Sequence, residues 1–254
     1  PDVYEGAPTP ITAFFAAAPK VAALGLFVRV LFGAFPDAVH DWQQVIIFMS
    51  VASMLVGSFV ALVQTNVKRL LAYSSIGHVG YALVGLAAGT HAGVEAILVY
   101  LAIYMTMTLG TFGVVLTMKR SGVMVEDIKD LAGLSTTNLP MAIAMAMFMF
   151  SLAGIPLLAG FFGKWFVFKA AVEAGLWPLA IIGVVTSVVG AYYYLRLVKI
   201  MFFDQPESAF DANVSTGVKL VVYSTAILNS PVSYVAFIAP LTVAASWAAN
   251  SLLF

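Results

Sequence analysis

The chain contains no cysteine, so disulfides, zinc–thiolate sites and cysteine-ligated iron–sulfur clusters are excluded. Charge is also scarce: 9% of the 254 residues are Asp, Glu, Lys or Arg, against roughly 25% in soluble domains. The charges present sum to a formal net of zero, which argues against nucleic-acid binding as the main task. The three histidines, His40, His78 and His91, are too few and too scattered for a paired haem or a metal site. No nucleotide, flavin or nicotinamide fingerprint occurs. Gly163 and Lys164 form a Gly-Lys pair, but without the phosphate-loop spacing or a following Ser or Thr. The opening Pro1-Asp2-Val3-Tyr4-Glu5 carries neither a starting methionine nor a basic leader, and reads as the interior of a longer protein.

What is abundant is apolar surface. Hydrophobic residues make up 62% of the chain and the mean hydropathy is +1.00, the composition of an all-α polytopic membrane protein. Seven apolar segments are expected, at 10–34, 44–63, 68–88, 94–118, 139–172, 176–203, and 218–241 or somewhat beyond. The third has a polar first half, with Tyr73, Ser74, Ser75 and His78. The fifth is too long for one straight crossing, since roughly 20 residues span a bilayer as a helix. Gly154, Pro156, Gly160 and Gly163 supply the means to break it.

Alternate connections hold Lys68 and Arg69; Lys119, Arg120 and Lys129; and Arg196, Lys199 and Lys219. The remaining connections hold only Lys169, so the ratio is eight basic residues to one. The positive-inside rule then places residue 1 in the cytoplasm and Phe254 outside. Between 119 and 138, Val125, Ile128, Leu131 and Leu134 recur at helical spacing, predicting a short interfacial helix that ends near Gly133.

Two lysines stand inside apolar segments, where a central lysine costs about 2.5–3.5 kcal/mol on insertion scales. Lys20 follows Pro19 about ten residues into the first segment, roughly 15 Å deep at the helical rise. At that depth, snorkelling to an interface is difficult. Lys164 lies beside the expected break, and the acids nearest in type, Glu95 and Glu173, sit at segment ends. An amine without a carboxylate partner can surrender its proton, because desolvation disfavours the charged form. The alternative is an ion pair that only fixes packing. His78 shares a helix face with Ser74 and Tyr81, either as a proton relay or as a histidine bonded to a neighbouring helix. Tyr100, Tyr104, Thr108 and Thr111 form a stripe that interhelical packing or a water-lined path would both explain.

These residues resemble a known family. Pro1 to Pro10, the run Val63-Gln64-Thr65-Asn66-Val67-Lys68-Arg69 continuing to Ser75, and Ser151 to Pro156 with Gly160-Phe161-Phe162-Gly163-Lys164 are similar to the antiporter-like membrane subunits of respiratory complex I. The resemblance implies a protein of about fourteen membrane helices built as two inverted five-helix repeats. This chain would then hold the last helix of the first repeat (1–42), the second repeat (43–205, with the broken helix at 139–172), and a polar loop with a terminal helix (206–254). It implies that Lys20 is the central lysine passing protons between half-channels and Lys164 the lysine of the broken helix. Larger members carry a lysine where Thr108 stands, histidines near Tyr100 and Tyr104, and histidine in place of Lys20. The family's buried glutamate and a further lysine precede residue 1.

The implied activity is proton translocation in an NADH–quinone oxidoreductase, with no redox chemistry in this chain. NAD, FMN, iron–sulfur clusters and quinone would belong to other subunits. The implied partners are other membrane subunits, especially the neighbouring antiporter-like subunit M and the small subunit K, together with the lipid bilayer. The implied location is the bacterial inner membrane. Two rivals remain at this level. A cation/proton antiporter would need a sodium-coordinating carboxylate within the membrane; a structural anchor would use its lysines for packing alone.

Overall fold

The computed structural model describes residues 1–206 and 208–253. It is helical throughout, apart from a two-stranded hairpin, β1 (Lys119–Arg120) and β2 (Val123–Met124). Its helices are α1 (Asp2–Gly6), α2 (Thr9–Ala34), α3 (Val39–Ala61), α4 (Val67–Ala87), α5 (His91–Val115), α6 (Leu134–Thr137), α7 (Leu139–Ala153), α8 (Ala159–Glu173), α9 (Trp177–Phe203), α10 (Thr216–Asn229) and α11 (Ala239–Leu253). Among the described residues, six helical stretches are long and apolar enough to cross a membrane, and α7 is a shorter apolar helix.

Polar side chains start these helices. Asn66 accepts from the Arg69 amide at the head of α4, Thr90 from the Gly93 amide at the head of α5, and Asn138 from the Met141 amide at the head of α7. Each satisfies a backbone N–H that has no intrahelical partner, which matters most where water is excluded.

α4 and α5 form the centre. Most of α4 is buried within the protein, whereas little of the stretch Tyr234–Leu252 is. Its polar first half is therefore not an exposed end. Ser74, Ser75, His78 and Tyr81 all face protein, where neighbouring helices can satisfy them. The outer faces of α2, α3 and α9 carry exposed Phe, Leu and Val, as surfaces bathed in lipid would.

The fifth apolar segment is two helices, α7 and α8, as its length demanded. Gly154 closes α7 in the left-handed region at φ 87°. Pro156 lies in the turn that follows, and Leu158 caps α8. Gly160 and Gly163 do not belong to the break; both lie inside α8. Their use is close approach. A Cβ on Gly160 would run into the Ser151 carbonyl, and one on Gly163 would meet the Tyr100 ring at 3.2 Å.

The last apolar segment differs from its expected form. It is interrupted after Asn229, where Ser230 is extended at ψ 169°. Ser230 precedes Pro231, and a residue before proline is pushed out of the helical region. The chain resumes as a π-helical turn at Tyr234–Ile238 leading into α11. The Tyr234 ring lies 5.0 Å from that of Phe162 on α8, so the two interrupted crossings meet.

The interfacial helix expected near 125–134 is also absent in that form. Ile128–Leu131 is a single 3-10 turn, and Gly133, at φ 64°, starts α6 instead of ending a helix. The segment is held by pairing: the Val67 amide donates to the Glu126 carbonyl and the Ile128 amide to the Thr65 carbonyl. Ile128, Leu131 and Leu134 are buried, which is the hydrophobic periodicity seen in the sequence without the continuous helix.

Candidate functional site

Lys20 sits in α2 directly after Pro19, which the helix accommodates without ending. Proline has no N–H, so the Phe15 carbonyl four residues earlier loses its usual donor. The Tyr4 hydroxyl takes that role, donating to Phe15 O at 3.1 Å. The Tyr4 ring also lies under the Lys20 ammonium, 5.4 Å from its centroid. Lys20 Nζ donates to the Ala16 carbonyl at 3.2 Å, to Ser75 Oγ of α4, and to Tyr104 Oη of α5 at 3.4 Å. Tyr104 in turn donates to Ser75 at 3.0 Å. Lys20 is thus surrounded by neutral acceptors and two aromatic faces.

Lys164 Nζ, on α8, donates to the carbonyls of Leu152 at 2.9 Å and Ala153 at 3.1 Å, and to Ser187 Oγ of α9 at 2.7 Å. An ammonium has three protons, so all three are used. The two carbonyls belong to the last turn of α7, where the helix break leaves them without amide donors. That end also carries the negative pole of the helix dipole. The break therefore builds an acceptor site for a cation from backbone alone, a recurring membrane solution. The lysine is 6% exposed, at the floor of a cavity of about 390 Å³ between α8 and α9.

Between the lysines runs a line of ring and hydroxyl groups. The His78 ring lies 5.0 Å from Tyr104 on the Lys20 side and 5.7 Å from Tyr81 on the other. The Tyr81 face then meets the Lys164 ammonium at 5.0 Å. His78 itself is tied at both nitrogens, Nδ1 being 2.6 Å from the Tyr100 hydroxyl and Nε2 3.0 Å from the Tyr194 hydroxyl. A neutral imidazole donates through one nitrogen and accepts through the other, so the two tyrosines play opposite roles. Ser74 is hydrogen-bonded to Tyr194, and Tyr81 donates to Thr186 at 3.4 Å.

The structure therefore brings Lys164, His78, Tyr100 and Tyr104 into one buried region, with the half-buried Lys20 at its edge. Among the described residues, Thr108 is buried on α5 but takes no part in the hydrogen bonds joining these groups, and Thr111 bonds to the Met107 carbonyl of its own helix. Several participants were not identifiable from the sequence: Tyr4, Ser187 and Tyr194. Tyr194 and Ser187 lie in an apolar segment rich in aromatic and small residues, where nothing marks which side chains face inward.

Lys68 also differs from a loop charge. It is 3% exposed, paired with Glu126 at 2.7 Å and donating to the Ala7 carbonyl at 2.9 Å. Arg69 pairs with Asp2 and Glu5, which docks α1 onto the start of α4. Lys169 pairs with Glu173, one turn along α8.

The sequence and the fold are similar to those of known membrane proteins. The sequence matches the family described as "NADH:quinone oxidoreductase/Mrp antiporter, TM" over residues 1–190. It is 56% identical over 252 residues to NADH-quinone oxidoreductase subunit N of Paramagnetospirillum magneticum, covering 99% of this chain and 51% of that protein. Among solved structures, a chain of respiratory complex I from Thermus thermophilus superposes with a TM-score of 0.75 at 34% identity, over 90% of this chain and 50% of that one. A chain of the Mrp complex from Dietzia sp. gives 0.84 at 20% identity, over 96% and 53%, a likeness of fold alone. The chain spans about half the length of the relatives it matches. With the profile match extending over most of its length, this chain belongs to the NADH:quinone oxidoreductase/Mrp antiporter membrane family.

Proposed function

We propose that this chain relays protons across the bacterial inner membrane as part of a proton-translocating subunit of NADH–quinone oxidoreductase. Lys20 and Lys164 are the amines that exchange protons, and His78 stands between them. The observation that carries the reading is the line Lys20–Tyr104–His78–Tyr81–Lys164, half-buried at Lys20 and buried beyond it, in which each group lies against the next. Hydroxyls and imidazole can both give and take a proton, and the ring contacts mark where a side-chain rotation or a bridging water completes the path.

The driving energy would come from NADH-to-quinone electron transfer in other subunits, which would hold NAD, FMN, iron–sulfur clusters and quinone. Moving one charge against 100 mV takes about 2.3 kcal/mol, whereas a pKa change of one unit is worth 1.36 kcal/mol. A conformational change that alters the acceptors around either amine by a few such units is sufficient. The excess of basic residues on alternate connections supports a cytoplasmic N-terminal end and a periplasmic C-terminal end for this chain. The domain organisation read from the sequence, with a second repeat at 43–205, fits a half-length piece of the antiporter-like fold. The neighbours would be antiporter-like subunit M and small subunit K.

The test is proton pumping coupled to NADH oxidation in membrane vesicles carrying the full-length protein. Lys20→Ala and Lys164→Ala should each leave the complex assembled and lower the protons moved per NADH oxidised. Pumping retained in both variants would overturn the relay. A sodium requirement for transport would favour cation/proton antiport, and loss of assembly without loss of pumping per complex would favour a packing role.

A further inference from the structure

The two interrupted crossings meet at one side chain. Asn229 ends α10 and is fully buried. Its Oδ1 accepts from Ser151 Oγ of α7 at 3.0 Å. Its Nδ2 donates to Thr106 Oγ1 of α5 at 3.1 Å and to the Thr225 carbonyl at 2.9 Å. Ser151 Oγ, having donated to Asn229, accepts the Gly160 amide of α8 at 2.9 Å. One amide thus joins four helices, and three of them are the ones interrupted in mid-course or flanking an interruption.

The position of this cluster relative to Lys164 gives it a consequence. Ser151 immediately precedes Leu152 and Ala153, whose carbonyls hold the ammonium. Gly160 lies four residues before Lys164, one turn away on the same helix face. The bond from Gly160 to Ser151 therefore sets the distance between the end of α7 and the turn that carries the lysine. That distance depends on Gly160 having no side chain, since a Cβ there would strike the Ser151 carbonyl. Ser151 can accept from Gly160 in the required orientation because its proton is directed at Asn229. The amide is itself held by Thr106 and by its own helix, so its orientation is fixed.

We propose that Asn229 is a positioning residue for Lys164: through Ser151 it locks the start of α8 against the end of α7, and so keeps the ammonium on the terminal carbonyls. It touches neither the lysine nor its acceptors. The interruption of the last crossing at Ser230-Pro231 is what places an amide at this depth, because α10 stops there and its final residue turns inward. The inference rests on the relay reading of Lys164.

The experiment uses the full-length protein in its assembled complex, in membrane vesicles, and measures protons moved per NADH oxidised. Four variants are compared: Asn229→Leu, Asn229→Gln, Ser151→Ala and the double variant Asn229→Leu with Ser151→Ala. Asn229→Leu and Ser151→Ala should each lower the ratio by about twofold or more at an unchanged oxidation rate per assembled complex. Asn229→Gln, which keeps the amide, should restore most of it. The double variant should be no worse than the poorer single one, because both substitutions break the same linkage. Ser151→Ala removes a single atom and keeps the test valid if the leucine variant fails to assemble. An unchanged ratio in the single variants, additive losses in the double, or losses that follow only the amount of assembled complex would overturn the proposal. Lys164→Ala, run alongside, separates the two ideas: if it pumps normally the relay itself fails, and if it alone is impaired only the role of Asn229 fails.

Discussion

Lys20 and Lys164 both stand within apolar segments, yet the protein holds them by opposite means. Lys20 stands in an unbroken helix and is met mainly by side chains: Ser75, Tyr104 and the Tyr4 ring. Lys164 stands beside a broken helix and is met by two backbone carbonyls and one hydroxyl. Side chains rotate among staggered wells, whereas a carbonyl moves only with its helix end. The first site can adapt to the charge state of its amine with local rotations. The second can change only if α7 and α8 move relative to each other. In the proposed relay, this contrast would give Lys164 the conformational role and Lys20 that of handing on the proton.

The largest expected effect breaks that contrast directly. Lys164→Ala should reduce pumping by about tenfold or more, consistent with loss of an obligatory proton carrier, and would leave the Leu152 carbonyl without its donor and the Ala153 carbonyl with only the longer bond from Ser187, each lost bond costing about 1–3 kcal/mol. Pumping assays with native-gel quantification of the complex check both parts. Gly160→Ala should come next, because its Cβ has no room against the Ser151 backbone. Overpacking of this kind costs about 1–3 kcal/mol, read as a lower melting temperature of the detergent-solubilised complex.

Arginine substitution separates the two sites more finely. Lys20→Arg should keep most of the assembled, stable protein, since hydroxyls and rings can move aside. Lys164→Arg should destabilise by about 1–3 kcal/mol, because a planar fork does not fit three acceptors arranged around a single nitrogen. Equal stability of the two variants in thermal unfolding would erase the distinction. The smallest effect is expected for Ser75→Ala, which removes one of several acceptors of Lys20 and should cost about 1 kcal/mol or less in the same measurement.

The first break was legible because it is written in short-range terms. Gly154 supplies the left-handed residue that ends α7, and Pro156 prevents its continuation. The second break had an equally local signal in Ser230-Pro231, but the apolar run around it hid the interruption. In the sequence Gly160 and Gly163 look like part of the break, whereas in the structure they lie within α8 and allow close contact with Ser151 and Tyr100. A glycine in a sequence announces freedom or closeness without saying which. Lys68 and Arg69 were legible as charges at the end of an apolar segment, while the ion pair from Lys68 to Glu126 spans 58 positions and belongs to the folded arrangement.

The sequence by itself determined the solvent, the number and approximate ends of the apolar segments, and the placement of both lysines within them. It could do so because hydropathy, proline and glycine act within a turn or two of where they stand. Which faces of those helices touch was decided only by tertiary structure. A helix apolar on every side carries little record of its neighbours, and lipid is as apolar as they are. Hence Tyr194 against His78, Ser187 against Lys164 and Asn229 against Ser151 became visible only when the helices packed, each polar group finding the partner that the membrane interior denies it.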